Sequence, residues 1–103
     1  MPEQDANELL RIRVQRIDGA PVVYLTGELD LSTIGELATA LDQLEGSLVV
    51  DLEGVSFMDS SGIRTIVAAR KRVLDDGGDL QLRAPQAHVR RVLEITGLDA
   101  VIA

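Results

Sequence analysis

The chain has 103 residues, a formal net charge of −7 at pH 7, two aromatic residues and no cysteine. This length suits one domain with its own hydrophobic core, and the lack of cysteine excludes disulfides and thiolate metal sites. Because nucleic acids and anionic membranes attract basic surfaces, so acidic a chain predicts neither partner.

The first eight residues, MPEQDANE, are polar and acidic. We expect residues 1–8 to form a flexible tail and residues 9–103 to form the domain. The tail lacks the apolar stretch of a signal peptide, and no later apolar run approaches the length of a membrane span. These features predict a cytoplasmic protein.

Two strand patterns open the domain. Apolar and polar residues alternate over 10–17, and an apolar run covers 21–26. Asp18-Gly19 lies between them and is a strong turn signal. The pattern predicts an antiparallel hairpin.

A helical pattern follows the segment Gly27-Glu28-Leu29-Asp30. Thr33 and Glu36 have the spacing of a capping box, and Gly46 is expected to close the helix. The apolar positions that recur at helical spacing are Ile34, Leu37, Ala38, Leu41 and Leu44.

The continuous apolar run 48–52 predicts a central strand covered on both faces, followed by a loop over 53–58. Asp59 or Ser60 would then be the N-cap of a second helix, which Asp75-Asp76-Gly77-Gly78 ends.

The remaining chain predicts a strand at 80–83, a last helix that opens after Pro85 and ends at Gly97, and a short final strand at Val101-Ile102. The order of elements is β-β-α-β-α-β-α. It predicts a single α/β domain, in which a mixed sheet with an N-terminal antiparallel hairpin packs against helices.

Ser61 falls in the first turn of the second helix, beside unpaired backbone N–H groups and the positive end of the helix dipole. A phosphate would be tolerated there and could be bonded by backbone donors. Local chemistry leaves two interpretations open, because Asp-Ser before a helix also serves as a cap alone.

Three segments in order are similar to one family. VVDLEGVSFMDSSGIRTIVAARKRV resembles the core motif of the STAS-domain anti-sigma factor antagonists, and YLTGELDLSTIGEL resembles their preceding strand, loop and helix. GGDLQLRAPQAHVRRVLEITGLDAVIA resembles their closing strand, helix and strand. The resemblance extends from about Val14 to the C-terminus.

The resemblance implies a partner-switching protein that is a kinase substrate, not an enzyme. In the family, an anti-sigma factor with serine kinase activity phosphorylates the second serine of the D-S-S-G segment, which is Ser61 here. The unphosphorylated protein binds the anti-sigma factor, so that the sigma factor is released. Phosphorylation ends this binding, and a serine phosphatase restores it.

The resemblance also implies the binding residues. Asp30 and Thr33 belong to the loop that shares the binding surface in the family, and Asp59, Ser60 and Gly62 are the immediate neighbours of the acceptor. Gly62 would leave room for a kinase to approach the backbone.

Arg64 departs from the family pattern, because S-G-I-R stands where some members have S-G-L-G. Its guanidinium could pair with a phosphate or with an acidic partner, or it could be solvated.

Other interpretations have less support. β-branched runs argue against an all-helical acyl carrier protein, and no acidic pair accompanies Asp51 as in a receiver domain. A phosphocarrier would rely on His88, the single histidine. We expect no catalytic residues, metal or cofactor, since nucleophile-elbow and P-loop motifs are absent. A STAS scaffold or ligand sensor without phosphorylation is the main alternative.

Overall fold

The computed structural model describes residues 9–103, so the expected tail at residues 1–8 lies outside the described residues. Four strands and three helices follow in the order predicted from the sequence. Their bounds are β1 Leu10–Ile17, β2 Ala20–Leu29, α1 Ile34–Asp42, β3 Leu48–Met58, α2 Ser60–Asp75, β4 Leu80–Arg83 and α3 Ala87–Ile95, with a 3₁₀ turn at Leu98–Val101.

The predicted hairpin is confirmed. β1 and β2 are antiparallel and pair continuously from Leu10 opposite Gly27 to Ile17 opposite Ala20. The two turn residues, Asp18 and Gly19, have φ values of 55° and 85°. This left-handed pair is the conformation that a two-residue hairpin turn requires and that Asp-Gly favours.

The sheet has the strand order β1-β2-β3-β4, and the pairs β2–β3 and β3–β4 are parallel. The expected final strand is reduced to one parallel bridge between Ile102 and Leu82. Each parallel connection therefore joins a strand to its next neighbour, always in the same direction across the sheet. Because such crossovers are right-handed, all three helices lie on the same face.

Burial agrees with this one-sided arrangement. Alternate residues of the inner strands share a single apolar cluster with the helices. The members of this cluster from the strands include Val23, Leu25, Val50, Leu52, Leu80 and Leu82, and those from the helices include Leu37, Leu41, Ile66, Val73, Val89 and Leu93.

The run 48–52 of β3 is largely buried on both faces, since Asp51 on the second face is only 7% exposed. Its second face belongs to a polar row across the sheet, in which Arg13, Tyr24, Asp51 and Arg83 are direct neighbours in register. Arg83 Nε donates to Asp51 Oδ2 at 2.9 Å, and the Arg13 guanidinium lies 4.2 Å from the Tyr24 ring centroid. Asp51 Oδ1 accepts from the Glu53 amide at 2.9 Å, so both oxygens of the buried carboxylate have a hydrogen-bond donor.

The predicted loop at 53–58 is wrong, because β3 continues through it to Met58. This extension pairs with the end of β2, with one register shift between Tyr24 and Thr26 and another between Gly27 and Glu28. A Cβ at Gly54 would lie 2.8 Å from the Leu25 carbonyl oxygen. The close approach of the two backbones is a tertiary feature that local sequence does not encode.

The expected capping box is not formed, although Thr33 does occupy the N-cap position of α1. The Thr33 hydroxyl donates to the Glu28 carbonyl at 2.8 Å and accepts from the Asp30 amide at 3.1 Å, so it stabilises the preceding loop. The helix ends at Asp42, before the expected stop at Gly46. Among residues 9–103, no helix combines the length and apolarity needed to cross a membrane.

Replacing Gly27 tests how tightly β1 and the end of β2 approach each other. Gly27 has φ +125°, and an added Cβ would lie 2.0 Å from the Leu9 carbonyl oxygen. We expect Gly27→Ala to lower the free energy of unfolding by at least about 3 kcal/mol, since strain and a steric clash combine. Urea denaturation measures this loss.

Gly35→Ala is the matched control, because Gly35 lies in α1 with nothing within 4 Å of its added Cβ. It should be neutral or stabilise by up to about 1 kcal/mol. Equal losses in the two variants would contradict the steric explanation.

Candidate functional site

The carboxyl ends of β2 and β3 lie side by side, with Leu29 opposite Met58. The loop 30–33 leaves one strand and α2 begins after the other. The Asp59 amide donates to the Leu29 carbonyl at 3.1 Å and joins the two segments. The structure thus brings the residues predicted from the sequence to one edge of the sheet, where open α/β sheets commonly place their sites.

Asp59 is the N-cap of α2, which decides between the two predicted candidates. Its Oδ1 accepts from the Ser61 amide at 2.8 Å and from the Gly62 amide at 3.3 Å. This bonding stabilises the helix start. It also occupies backbone donors that the sequence analysis left available to a phosphate on Ser61.

The two serines differ sharply in exposure. Ser60 is exposed, whereas Ser61 is only 7% exposed. Ser61 lies at a groove of about 330 Å³ between α1 and α2. Ser61 therefore offers much less surface than Ser60 to a modifying enzyme, and what it offers faces the groove.

The loop after β2 is held by its own side chains. Asp30 Oδ1 accepts from the Ser32 hydroxyl at 2.7 Å and from the Ser32 amide at 2.9 Å. The hydroxyl hydrogen bond is the main cause that lowers the pKa of Asp30 below the ordinary carboxyl value. The loop consequently presents a carboxylate at neutral pH.

Thr33, which the resemblance implies as a contact residue, is 3% exposed. Its hydroxyl donates to the Glu28 carbonyl at the end of β2 and accepts from the Asp30 amide. The Thr33 side chain therefore positions Asp30 in the loop.

Gly62, which the resemblance implies as a neighbour of the acceptor, is buried. An added Cβ would lie 3.0 Å from Leu29 Cβ, 3.1 Å from Met58 Cγ and 3.2 Å from the Leu29 carbonyl oxygen. The missing side chain lets the start of α2 pack against the ends of β2 and β3.

Two residues that the sequence analysis did not single out lie at the same edge. Leu31 is 75% exposed in the loop, and Phe57, two residues before the N-cap, is 46% exposed. Large apolar side chains exposed beside charges are typical of protein interaction sites. An apolar residue within the polar Asp30–Ser32 segment was the available signal for Leu31. Phe57 was missed because β3 was predicted to end at Leu52.

Arg64 is exposed and lines the same groove as Ser61. The ion pairs formed by described residues involve Arg70, Lys71, Arg72 and Arg83, and Arg64 is not among them.

Asp51 and His88, the residues on which a receiver domain or a phosphocarrier would rely, both contact other residues of the domain. Asp51 is bonded to Arg83, and the ring of His88 contacts the Ser56 carbonyl through Nε2. Within the described part of the chain, no group of three or more His, Cys, Asp or Glu residues could hold a metal ion.

Known proteins resemble the chain in both sequence and fold. A family model described as "Mlab, STAS domain" matches residues 12–103. The anti-sigma-B factor antagonist of Staphylococcus aureus is 35% identical over 80 residues, which are 74% of each chain.

Two solved structures resemble the fold. An anti-sigma factor antagonist from Mycobacterium paratuberculosis has a TM-score of 0.81 and 29% identity, covering 90% of this chain and 82% of its own. The anti-sigma factor antagonist SpoIIAA in its unphosphorylated form has a TM-score of 0.75 and 25% identity, covering 90% and 86%.

Removal of the N-cap carboxylate should loosen the start of α2. We expect Asp59→Ala to cost about 1 kcal/mol of stability, and Asp59→Ser to recover most of it because a serine hydroxyl also caps. Amide hydrogen exchange at Ser61 and Gly62 should accelerate in Asp59→Ala, since both amides lose their acceptor. Unchanged exchange at these two amides would mean that Asp59 does not hold them in solution.

Proposed function

This chain belongs to the STAS domain family, and we propose that it is an anti-sigma factor antagonist switched by phosphorylation of Ser61. The observation that carries the proposal is the position of Ser61. It lies in the first turn of α2, directly beside the loop that presents Asp30, at the one edge where the sequence resemblance and the exposed apolar residues coincide.

The proposed partner is an anti-sigma factor with serine kinase activity. The unphosphorylated protein binds it and frees the sigma factor. In the kinase step, a bond forms between Ser61 Oγ and the γ-phosphorus of ATP while the bond to the ADP oxygen breaks. The hydroxyl proton passes to the kinase or to water. A serine phosphatase hydrolyses the phosphoserine and restores the binding form.

The surface that would meet this partner consists of Asp30, Leu31, Phe57, Ser60 and Arg64, and we call it the partner edge. All five lie at or beside the carboxyl ends of β2 and β3, and two are large exposed apolar side chains among polar ones. Buried apolar anchors within a polar rim supply most of the affinity of protein interfaces.

Charge explains how phosphorylation would act. A phosphate adds about −1.5 to −2 charges beside the carboxylates of Asp30 and Asp59. If it meets like charge or loses water at a docked surface, the cost reaches several kcal/mol. Each 1.4 kcal/mol is a factor of about 10 in affinity. A cost of two or three times this energy would lower the affinity about 100- to 1000-fold, which is enough to release the partner.

One observation favours a second function, an unswitched STAS scaffold that binds its partner without a phosphate cycle. Ser61 is 7% exposed, so little of its surface is available to a modifying enzyme in this folded form. The same partner edge would serve this function, so the phosphate itself must distinguish the two.

Matched serine variants test the switch. The wild type, Ser61→Ala and Ser60→Ala are used to capture the partner from source cells, and the complexes are then given ATP and magnesium. We expect phosphate on the wild type and on Ser60→Ala but none on Ser61→Ala, by intact mass and site mapping. Affinity for the recovered partner should fall about 100- to 1000-fold on phosphorylation.

A partner that stays bound while neither Ser60 nor Ser61 carries phosphate would overturn the switch and support the scaffold. Phosphate on Ser60 alone would move the acceptor to the exposed serine.

The apolar residues of the partner edge can be tested separately. Leu31→Ala and Phe57→Ala should each weaken binding of the unphosphorylated protein about 10-fold, since each removes an exposed apolar anchor. Ile95→Ala is the control, because Ile95 is also 75% exposed but lies at the end of α3. Titration calorimetry measures the affinities. An affinity of Leu31→Ala equal to that of the wild type and of Ile95→Ala would exclude the loop from the interface.

A further inference from the structure

The start of α2 offers a phosphate on Ser61 few free donors. Asp59 Oδ1 holds the amides of Ser61 and Gly62, and the Ile63 amide donates to the Asp59 carbonyl at 3.2 Å. A phosphate there would also face the Asp59 carboxylate. The backbone donors of the helix terminus are therefore largely taken, and a nearby cation would offset the added negative charge.

The groove beside Ser61 is mostly apolar. The residues that line it without charge are Ile34, Ala38 and Leu41 of α1 and Thr65, Ala68 and Ala69 of α2. Its charged residues are Arg64, Arg72 and Asp42. A dianion placed against such walls loses hydration, so its position is decided by the cation that can reach it.

Arg72 is already engaged in joining α1 to α2. Its Nη2 donates to the Leu41 carbonyl at 2.7 Å, and its Nε lies 3.6 Å from Asp42 Oδ1. Moving it to a phosphate would break the contacts between the helices.

Arg64 is the cation that can move. It follows Ser61 by three positions, and such residues are neighbours on a helix surface, with about 5–6 Å between their Cβ atoms. It is exposed and forms no ion pair with a residue in the described range 9–103. Its guanidinium presents the paired donors that suit phosphate oxygens.

We propose that Arg64 captures the phosphate of phosphorylated Ser61 and is thereby withdrawn from the partner edge. The inference rests on the proposed function, because it gives the phosphate of that switch its ligand within this chain. Phosphorylation then changes the charge of the partner edge in two ways, because it adds a dianion and engages the Arg64 cation.

The test places phosphoserine at position 61 by genetic-code expansion, so that no kinase is needed. Phosphorus NMR then follows the phosphate titration in the otherwise wild-type protein and in Arg64→Gln, Arg64→Lys and Lys71→Gln. The other charged groups near the phosphate or its groove are the same in all four proteins: Asp30, Asp42, Asp59 and Arg72. Lys71 is the matched control, an exposed cation of α2 that pairs with Asp75 at 3.2 Å.

A guanidinium beside the phosphate favours the dianion and lowers its pKa. We expect the pKa in Arg64→Gln to be higher by about 1 unit, with Arg64→Lys between the two and Lys71→Gln equal to the wild type. A rise that Arg64→Lys partly reverses separates a charge contact from a general disturbance of the helix, which amide spectra of each variant also monitor.

Equal titration of the wild-type background and Arg64→Gln would overturn the inference and leave the proposed function standing, because phosphorylation of Ser61 by the partner is measured separately. Failure of that phosphorylation, with the titration difference present, would overturn the proposed function alone.

Discussion

The parallel pairing of β2 with β3 is the constraint on which the rest of the structure depends. Parallel neighbours cannot be joined by a tight turn, so the chain must return through α1 on the right-handed side. Repetition of the same step through α2 places every helix on one face. It also brings the ends of β2 and β3 together, with Leu29 opposite Met58, so that the loop 30–33 and the start of α2 are neighbours.

Glycines let the backbones approach closely enough for this arrangement. Gly54 passes the Leu25 carbonyl, and Gly62 packs against Leu29 and Met58. The base of the partner edge is therefore close-packed backbone and core, and its variable part is a rim of exposed side chains. A surface of this kind can change its partner by substitution at the rim while the fold below is conserved in shape.

The start of α2 already carries one negative charge. Asp59 gives the helix terminus the negative charge that its dipole favours. A second negative group on Ser61 must compete for the same donors, and the free energy of one N-cap is about 1 kcal/mol. The proposed modification of this serine would thus act on the local structure as well as on the surface charge.

Local sequence determined the features that depend on near neighbours. Asp18-Gly19 specified the hairpin turn, Asp59 specified the start of α2, and hydrophobic periodicity located the three helices. The D-S-S-G segment and its flanking patterns were sufficient to identify the family, because fold and motif occur in a fixed order along the chain.

Only the tertiary structure decided which of these groups are accessible. The length of β3 depends on pairing with β2, and the position of the helices on one face of the sheet depends on the direction of the crossovers. The burial of Ser61 beside an exposed Ser60 depends on the packing of α1 against α2. Contacts between residues far apart in the chain set these features, and a local pattern does not contain them.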